Sequence, residues 1–330
     1  MPIPLKAGEI LRERYQIIRI IGQGGMGSIY LAADLRLEGR QCALKEVEHD
    51  RSLAQDLVKE SRDQFFREAT VLARLDHPNL PKVSDYFSIE NRDYLVMDYI
   101  PGKDLRTLMT EAMQNKIFLE EEEVLAWSVQ LADALTFLHN QNPPILHRDI
   151  KPSNLKVTPS GVLKLVDFGL VKLLAKGEVT ITILQGQGTA LYTPLEQYGG
   201  DGSHTDARSD LYAFGSTLYH LLTNRPPPEA RERFLDPDIL TPPRQINPKI
   251  SNRVERSILL AMALHPDDRP ATVADFEEML VGSRNPGVRR KTTPVRPLTI
   301  QSVLGLLPEK YLFYSVIGLM LVSLILTIII

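Results

Sequence analysis

Residues 147–154 read HRDIKPSN, and the predicted architecture depends on this short polar stretch. It combines a histidine, two permanent cations, a carboxylate and a carboxamide within eight residues, directly after the apolar pair Ile145 and Leu146. A random polar turn and a catalytic loop would both concentrate polar groups in this way. The motifs on either side of the stretch decide between the two.

A glycine pattern lies upstream of this loop. The sequence IGQGGMGSIY, residues 21–30, places Gly22, Gly24 and Gly27 in a GxGxxG arrangement. This pattern alone also fits a dinucleotide-binding protein, in which a helix follows the glycines. Here the strand-like SIYLAADL follows, and CALK then places Lys45 on a further strand. The order favours a phosphate-binding glycine loop between two strands.

Downstream, LKLVDFGLVK is a strand-like run that ends in Asp167, Phe168 and Gly169. Glycine loop, Ala-x-Lys strand, HRDIKPSN and Asp-Phe-Gly together resemble the eukaryotic-like, Hanks-type protein kinases over roughly residues 8–282. The resemblance implies an α+β, two-lobed fold with a small β-rich N-lobe and a larger helical C-lobe. It also implies ATP-dependent phosphoryl transfer to proteins, and the Gly-Gly-Met-Gly run resembles the bacterial, membrane-anchored branch.

The resemblance assigns roles within the candidate loop. It implies that Asp149 accepts the proton of the attacking substrate hydroxyl, and that Lys151 neutralises charge on the transferred phosphate. Asn154 and Asp167 would bind Mg²⁺, or Mn²⁺, through oxygen atoms. His147 would pack under the loop, and Arg148 would bind a phosphate or another anion.

Lys45 has a candidate partner 23 residues further on, at Glu68. An ion pair between the two would hold the ammonium against the α- and β-phosphates of ATP. Glu60 and Glu46 are alternatives, but Glu68 shares its helical face with Leu72. We therefore expect Glu68 to be the partner.

The remaining nucleotide contacts follow from the resemblance, with one departure. Lys156 occupies a position at which the family usually offers an apolar side chain to the adenine ring. Its methylene stem would therefore contact the ring while its amine reaches outward. The expected ATP-binding residues are Ile21, Gly22, Gly24, Gly27, Ile29, Ala43, Lys45, Met97, Asp98, Tyr99 and Lys156.

The segment after the Asp-Phe-Gly element resembles an activation segment. Thr180 and Thr182 are candidate phosphorylation sites, and Thr189 is expected near Asp149 and Lys151. The family's structural residues map onto His147, Arg148, Phe168, Gly169, Glu196, Asp210 and Arg269. Among these, Asp210 would support the catalytic loop and Arg269 would be the buried partner of Glu196.

The same segment indicates the acceptor residue. Lys151 and Thr189 match the serine/threonine pattern of the family. Leu195 stands where the family has the proline of Ala-Pro-Glu, so the peptide preference is open. A pseudokinase-type scaffold that binds nucleotide without catalysis is the main alternative, although Lys45 and Asp149 are both present.

Composition narrows the choice of partners. The chain has 330 residues, 43% hydrophobic content and a formal net charge of −3, so a sizeable core is possible and no nucleic-acid partner is indicated. Its single cysteine, Cys42, excludes an internal disulfide framework. The expected small-molecule partner is ATP, and the expected macromolecular partners are proteins with serine or threonine hydroxyls.

The expected domain begins at residue 15, after an N-terminal segment 1–14, and divides into an N-lobe, 15–100, and a C-lobe, 101–282. Strands are predicted in YQIIRIIGQGG, GSIYLAADL, QCALKEVEH and RDYLVMDYI. Helices are predicted over residues 61–75 and within LEEEEVLAWSVQLADALTFLHN, where Val124, Trp127, Leu131, Leu135 and Leu138 share a face.

The C-terminal residues form two further segments. Residues 283–310 are a basic, proline-rich juxtamembrane linker, and residues 311–330 carry no charge. As a helix of ~1.5 Å rise per residue the latter would span ~30 Å, enough for a bilayer. The basic flank predicts a cytoplasmic kinase domain on a single-pass membrane helix. Gly318 and Ser323 leave open whether the chain forms a dimer.

Overall fold

The computed structural model describes residues 4–24, 27–48, 55–167, 187–198 and 205–282. Phe168, Gly169, Thr180, Thr182 and the segments 283–310 and 311–330 lie outside these ranges, and so do the predictions made for them. In the described ranges, no helix combines the length and the apolar character that crossing a membrane requires.

The N-lobe is built on one antiparallel sheet. Its strands are β1 (Ile10–Leu11), β2 (Tyr15–Gly24), β3 (Gly27–Asp34), β4 (Gln41–Glu48), β5 (Val83–Ile89) and β6 (Arg92–Asp98). They are ordered β1-β2-β3-β4-β6-β5, and helix α1 (Gln55–Leu72) connects β4 to β5. The four predicted strands are present. β5 was not predicted, because Ser84, Asp85 and Ser88 dilute its apolar pattern.

Helix α1 differs in its bounds from the predicted helix, residues 61–75. It begins six residues earlier, at Gln55, where the sequence has few apolar residues and periodicity gives no signal. It ends at Leu72, after which Leu75 N donates to Leu72 O in a tighter turn. Phe65, Ala69 and Leu72 are buried and form one apolar face of this helix.

The C-lobe is mostly helical. Its helices are α2 (Leu105–Gln114), α3 (Glu121–His139), α4 (Gln187–Ala190), α5 (Ala207–Thr223), α6 (Ala230–Leu235), α7 (Pro243–Ile246), α8 (Asn252–Ala261) and α9 (Val273–Val281). A small antiparallel sheet joins β7 (Lys103–Asp104), β8 (Leu155–Val157) and β9 (Leu163–Leu165). The predicted apolar face of α3 is buried at all five positions, Val124, Trp127, Leu131, Leu135 and Leu138.

Two apolar clusters hold these elements together. The larger one runs from the inner face of the N-lobe sheet through α1 and α3 to α5, α8 and α9. The smaller one covers the other face of the sheet and includes Tyr15, Tyr30 and Tyr94. Two parts of the N-terminal segment pack with this smaller cluster: β1 pairs with β2, and Leu5 N donates to Tyr30 Oη at 3.0 Å. Strand β1 is therefore part of the N-lobe sheet.

Cys42 lies on β4 within the smaller cluster. It is 1% exposed, and its Sγ donates to Ala32 O at 3.6 Å. Burial raises the pKa of its thiol to about 11. The only cysteine of the chain is therefore an unreactive core residue.

Candidate active site

A cleft of about 520 Å³ brings the sequence-predicted residues together. Its predicted members are Ile21, Gly22, Gly27, Ile29, Ala43, Lys45, Met97, Asp98, Tyr99, Asp149, Lys151, Asn154, Lys156 and Asp167. The lining also includes Glu46, the alternative partner considered for Lys45, and residues that the sequence did not single out, namely Gln23, Val47, Pro81, Ile100, Asp104, Ser153 and Val166. Gly24, a further predicted nucleotide-binding residue, pairs with Gly27 at the end of the β2–β3 hairpin.

The glycine loop has a steric requirement at Gly27. This residue has φ +150°, and a Cβ placed on it would lie 2.1 Å from Glu46 O. Only glycine lets β3 approach β4 this closely. The packing of β3 against β4 therefore requires glycine at this position.

Lys45 lies on β4, opposite Ile29 and Leu95. Its Nζ forms an ion pair with Asp167 Oδ1. Burial opposes ionisation of Asp167, but the charge and hydrogen bond of Lys45 outweigh it and keep the pKa of this carboxyl below its ordinary value. Asp167 has φ +58°, a left-handed backbone that turns its side chain toward the cleft lining.

Glu68 lies on α1 and is 3% exposed. Gln64 Nε2 donates to its Oε1 at 3.0 Å, and its charge also acts on Arg148. The ion pair expected between Glu68 and Lys45 stays a prediction.

The catalytic-loop side chains contact one another. Lys151 Nζ lies 2.9 Å from Asp149 Oδ1 and donates to Thr189 Oγ1 at 3.0 Å. Asn154 Nδ2 donates to both the backbone O and Oδ2 of Asp149, each at 2.8 Å. The Asp149 side chain is 11% exposed, so its carboxylate is fixed by these contacts and still reachable from the cleft.

A buried carboxylate holds the loop backbone. Asp210 accepts hydrogen bonds from His147 N at 2.9 Å and from Arg148 N at 2.8 Å, and His139 Nε2 lies 2.8 Å from its Oδ2. Burial alone would raise the pKa of Asp210, but the His139 contact and the other donors keep it below the ordinary value. His139, on the last turn of α3, was missed because its position in the sequence gives no sign of this tertiary contact.

His147 and Arg148 are the two residues whose backbone N–H groups donate to Asp210. His147 is 0% exposed, and burial lowers the pKa of its imidazole. Burial likewise lowers the pKa of Arg148, whose φ is +61°. His147 is therefore fully enclosed, and its burial favours the neutral imidazole.

The end of the activation segment is fixed to the C-lobe. Arg269 Nη1 lies 2.6 Å from Glu196 Oε1, with side-chain exposures of 0% and 7%. Ser209 Oγ also donates to Glu196. A second contact joins Tyr192 Oη to His220 Nδ1 at 2.6 Å. These contacts position the backbone around Thr189 and Leu195, next to the catalytic loop.

The donor set suits a hard cation. Asn154 and Asp167 offer oxygen atoms in the same cleft, and the amide nitrogen of Asn154 is turned to Asp149. Across the described ranges, no group of three or more His, Cys, Asp or Glu side chains could hold a metal. Magnesium commonly takes only one or two protein oxygens and completes its shell with phosphates and water, so these residues fit Mg²⁺.

Lys156 lies on β8, opposite Asp104 of β7. Its Nζ is 5.6 Å from the centroid of the Tyr99 ring. Burial lowers the pKa of this ammonium, and the Asp104 charge opposes that effect. The amine is thus partly desolvated at the edge of the cleft.

Comparison with known proteins agrees with this geometry. A family model described as protein kinase domain matches residues 15–267. Serine/threonine-protein kinase PrkC of Bacillus subtilis is 33% identical over 278 residues, which cover 82% of this chain and 40% of the relative. A protein of Bifidobacterium longum named as a probable serine/threonine-protein kinase, PknB, is 34% identical over 305 residues, which cover 87% of this chain and 41% of the relative.

A solved structure extends the similarity to the fold. The kinase domain of Mycobacterium tuberculosis PknI has a TM-score of 0.61 and 27% sequence identity, and the alignment covers 84% of this chain and 98% of that chain. The two-lobed architecture is therefore shared. The chain spans only about two fifths of the length of the curated relatives described above.

Proposed function

Because this chain belongs to the protein kinase domain family, in its eukaryotic-like serine/threonine branch, we propose that it transfers the γ-phosphate of ATP to serine and threonine hydroxyls of proteins, itself included. One observation carries the proposal. Lys151 contacts both Asp149 and Thr189, and Asp149, Lys151, Asn154 and Asp167 line one cleft together with Gly22 and Gly27.

Asp149 supplies the acid–base step. Its carboxylate, held by Asn154 and Lys151, accepts the proton of the substrate hydroxyl as the oxygen attacks the γ-phosphorus in line with the leaving ADP oxygen. Lys151 stabilises the negative charge on the transferred group, while its hydrogen bond to Thr189 ties it to the segment that receives the substrate.

Lys45, Asn154 and Asp167 organise the phosphates. Mg²⁺, when bound, neutralises phosphate charge, and Asn154 and Asp167 would hold it through their oxygens. Lys45 pairs with Asp167 in this structure, and in the nucleotide complex its ammonium would contact the α- and β-phosphates.

The test is transfer of labelled phosphate. We expect the full chain, supplied with γ-labelled ATP and Mg²⁺, to label serine or threonine in itself and in a basic carrier protein. Asp149→Asn should lower the rate at least about 100-fold, because a positioned base contributes that much to proton transfer. Asp238→Asn, at an exposed carboxylate away from the cleft, is the control and should label normally.

The alternative of a nucleotide-binding scaffold gives a different result. Folded protein that binds ATP but labels nothing would reject the transfer activity. Label on tyrosine would reject the acceptor class that Lys151 and Thr189 indicate.

Activation by phosphorylation is part of the same proposal. Arg148 is held beside Asp149 by Asp210, where it could bind a phosphate on Thr180 or Thr182. Replacing both threonines with alanine should leave a weak basal kinase. Full activity of this double variant would exclude activation by phosphorylation of these two threonines.

Membrane attachment completes the proposal. The support is the uncharged stretch 311–330 and the basic residues before it, a pattern that favours a cytoplasmic kinase domain. The full chain should stay with membranes through alkaline carbonate extraction, whereas a chain ending at residue 290 should become soluble. Recovery of both forms in the soluble fraction would contradict the attachment.

A further inference from the structure

The N-lobe side of the cleft is lined by apolar side chains, and a charged residue lies on its C-lobe side. Ile21, Ile29, Ala43 and Met97 supply the apolar wall from the N-lobe strands, and Lys156 lines the same cleft from β8 of the C-lobe. Burying an ammonium that no opposite charge compensates is costly. An adenine base that covered the Lys156 amine would bury its charge, and this cost would weaken nucleotide binding. The direction of the Lys156 side chain therefore matters for nucleotide binding.

The surroundings of Lys156 draw its amine to one side. Nζ lies over the face of the Tyr99 ring, 5.6 Å from the centroid, within the range of a cation–π interaction. Asp104, opposite Lys156 in the β7–β8 ladder, attracts the same charge, and Arg19 repels it. Tyr99 directly follows β6, in the segment that connects the lobes.

We propose that Tyr99 is a positioning residue that holds the Lys156 ammonium at the edge of the cleft, so that the methylene stem of Lys156 forms the floor beneath the base. The inference rests on the proposed function, because it concerns the nucleotide site of that function. It assigns Tyr99 a role that acts through Lys156 and that differs from a direct contact between Tyr99 and nucleotide.

The geometry explains how a lysine is compatible with this site. A lysine stem is apolar and can pack like an aliphatic side chain when its head reaches a polar or aromatic partner. Tyr99 offers that partner without a formal charge, and Asp104 lies close enough to act on the amine. Without the ring, the amine would sample positions beneath the base.

The experiment measures ADP binding to the full chain by calorimetry. Tyr99→Leu keeps an apolar side chain and removes the aromatic face, and it should raise the Kd for ADP about two- to fivefold, the size expected of one cation–π contact. Tyr99→Phe retains the face and should bind ADP like the unsubstituted chain. Thermal unfolding of each variant confirms that folded proteins are compared.

A second background isolates the route through Lys156. In a Lys156→Leu chain there is no ammonium to hold aside, so adding Tyr99→Leu should leave the Kd for ADP unchanged. An equal loss of affinity in both backgrounds would overturn the inference, because Tyr99 would then act directly or structurally. An unchanged Kd in Tyr99→Leu alone would also overturn it.

The two proposals can fail separately. If the unsubstituted chain binds ADP but the Tyr99 and Lys156 substitutions show no coupling, only the positioning role is lost. If folded, unsubstituted chain binds no ADP, the nucleotide function is rejected and the positioning role with it.

Discussion

At the scale of single residues, removing one partner of the buried pair Glu196 and Arg269 should strongly destabilise the protein. Arg269 also donates to the backbone oxygens of Ala263 and Leu264, so the Glu196→Ala variant would leave its charge buried and only partly compensated. We expect the free energy of unfolding to fall by about 3–5 kcal/mol, measured by urea denaturation. Glu122→Ala, at an exposed position, is the control. A fall below about 1 kcal/mol would mean that the pair behaves like a surface pair.

His220 should make stability depend on pH. Burial, together with the nearby charge of Arg106, lowers the pKa of its imidazole from 6.5 to about 4. Below pH 6.5 the unfolded chain therefore binds a proton at His220 that the folded chain does not, so stability is full above this pH and falls toward pH 4.

The loss at His220 should reach about 3 kcal/mol near pH 4. Denaturation curves between pH 4 and 7 would measure it, with His220→Gln as the comparison, because glutamine can still accept from Tyr192 but does not titrate. Parallel pH profiles of the two proteins would contradict the assignment to His220.

At the level of secondary-structure elements, Gly102 allows the start of β7 to lie close to β8. It has φ +109°, and a Cβ on it would lie 2.0 Å from Val157 O on β8. Gly102→Ala should therefore strain the backbone and also separate β7 from β8, costing more than about 2 kcal/mol in unfolding free energy.

Gly161 offers a matched control for Gly102. It has φ +79°, but no atom lies within 4 Å of an added Cβ. Gly161→Ala should carry only the backbone strain, about 1 kcal/mol. Equal losses for the two variants, measured by thermal unfolding, would show that the contact with Val157 has no effect.

Elements with a strong local signal could be predicted from the sequence. Helix α3 has a five-residue apolar face, and the structure buries all of it. Strand β5 and the first six residues of α1 have mixed polarity, so periodicity gives no clear signal for either of them. The sequence pattern therefore indicates the lobes better than their element boundaries.

Some contacts of the candidate site could also be predicted from the sequence, and others could not. Asp149, Lys151 and Asn154 fall within one short motif, so their proximity could be predicted. The contacts of Asp210 with His139 and of Lys156 with Tyr99 join residues 71 and 57 positions apart. Their partners depend on how helices and strands pack, which no local pattern records.

Over the full length of the chain, the residues before the family match should contribute to the fold. β1 and Leu5 lie before residue 15, where the family model begins, and Leu11 is 8% exposed. Removing residues 1–11 should lower the free energy of unfolding by about 3 kcal/mol, the value of one or two buried leucines. Ile10→Ala, at a residue that is 51% exposed, should cost far less. A truncated chain as stable as the original would contradict this.

The alkylation rate of Cys42 can report how fast the N-lobe sheet opens. As the only thiol, buried on β4 between Ala32 and Asp98 in the strand ladder, it can react with a soluble alkylating reagent only after the N-lobe sheet separates. The rate of alkylation in excess reagent would thus time that separation at one known point, without an engineered label. Because β4 also carries Lys45, adding ADP should slow the reaction to the extent that nucleotide holds this sheet closed.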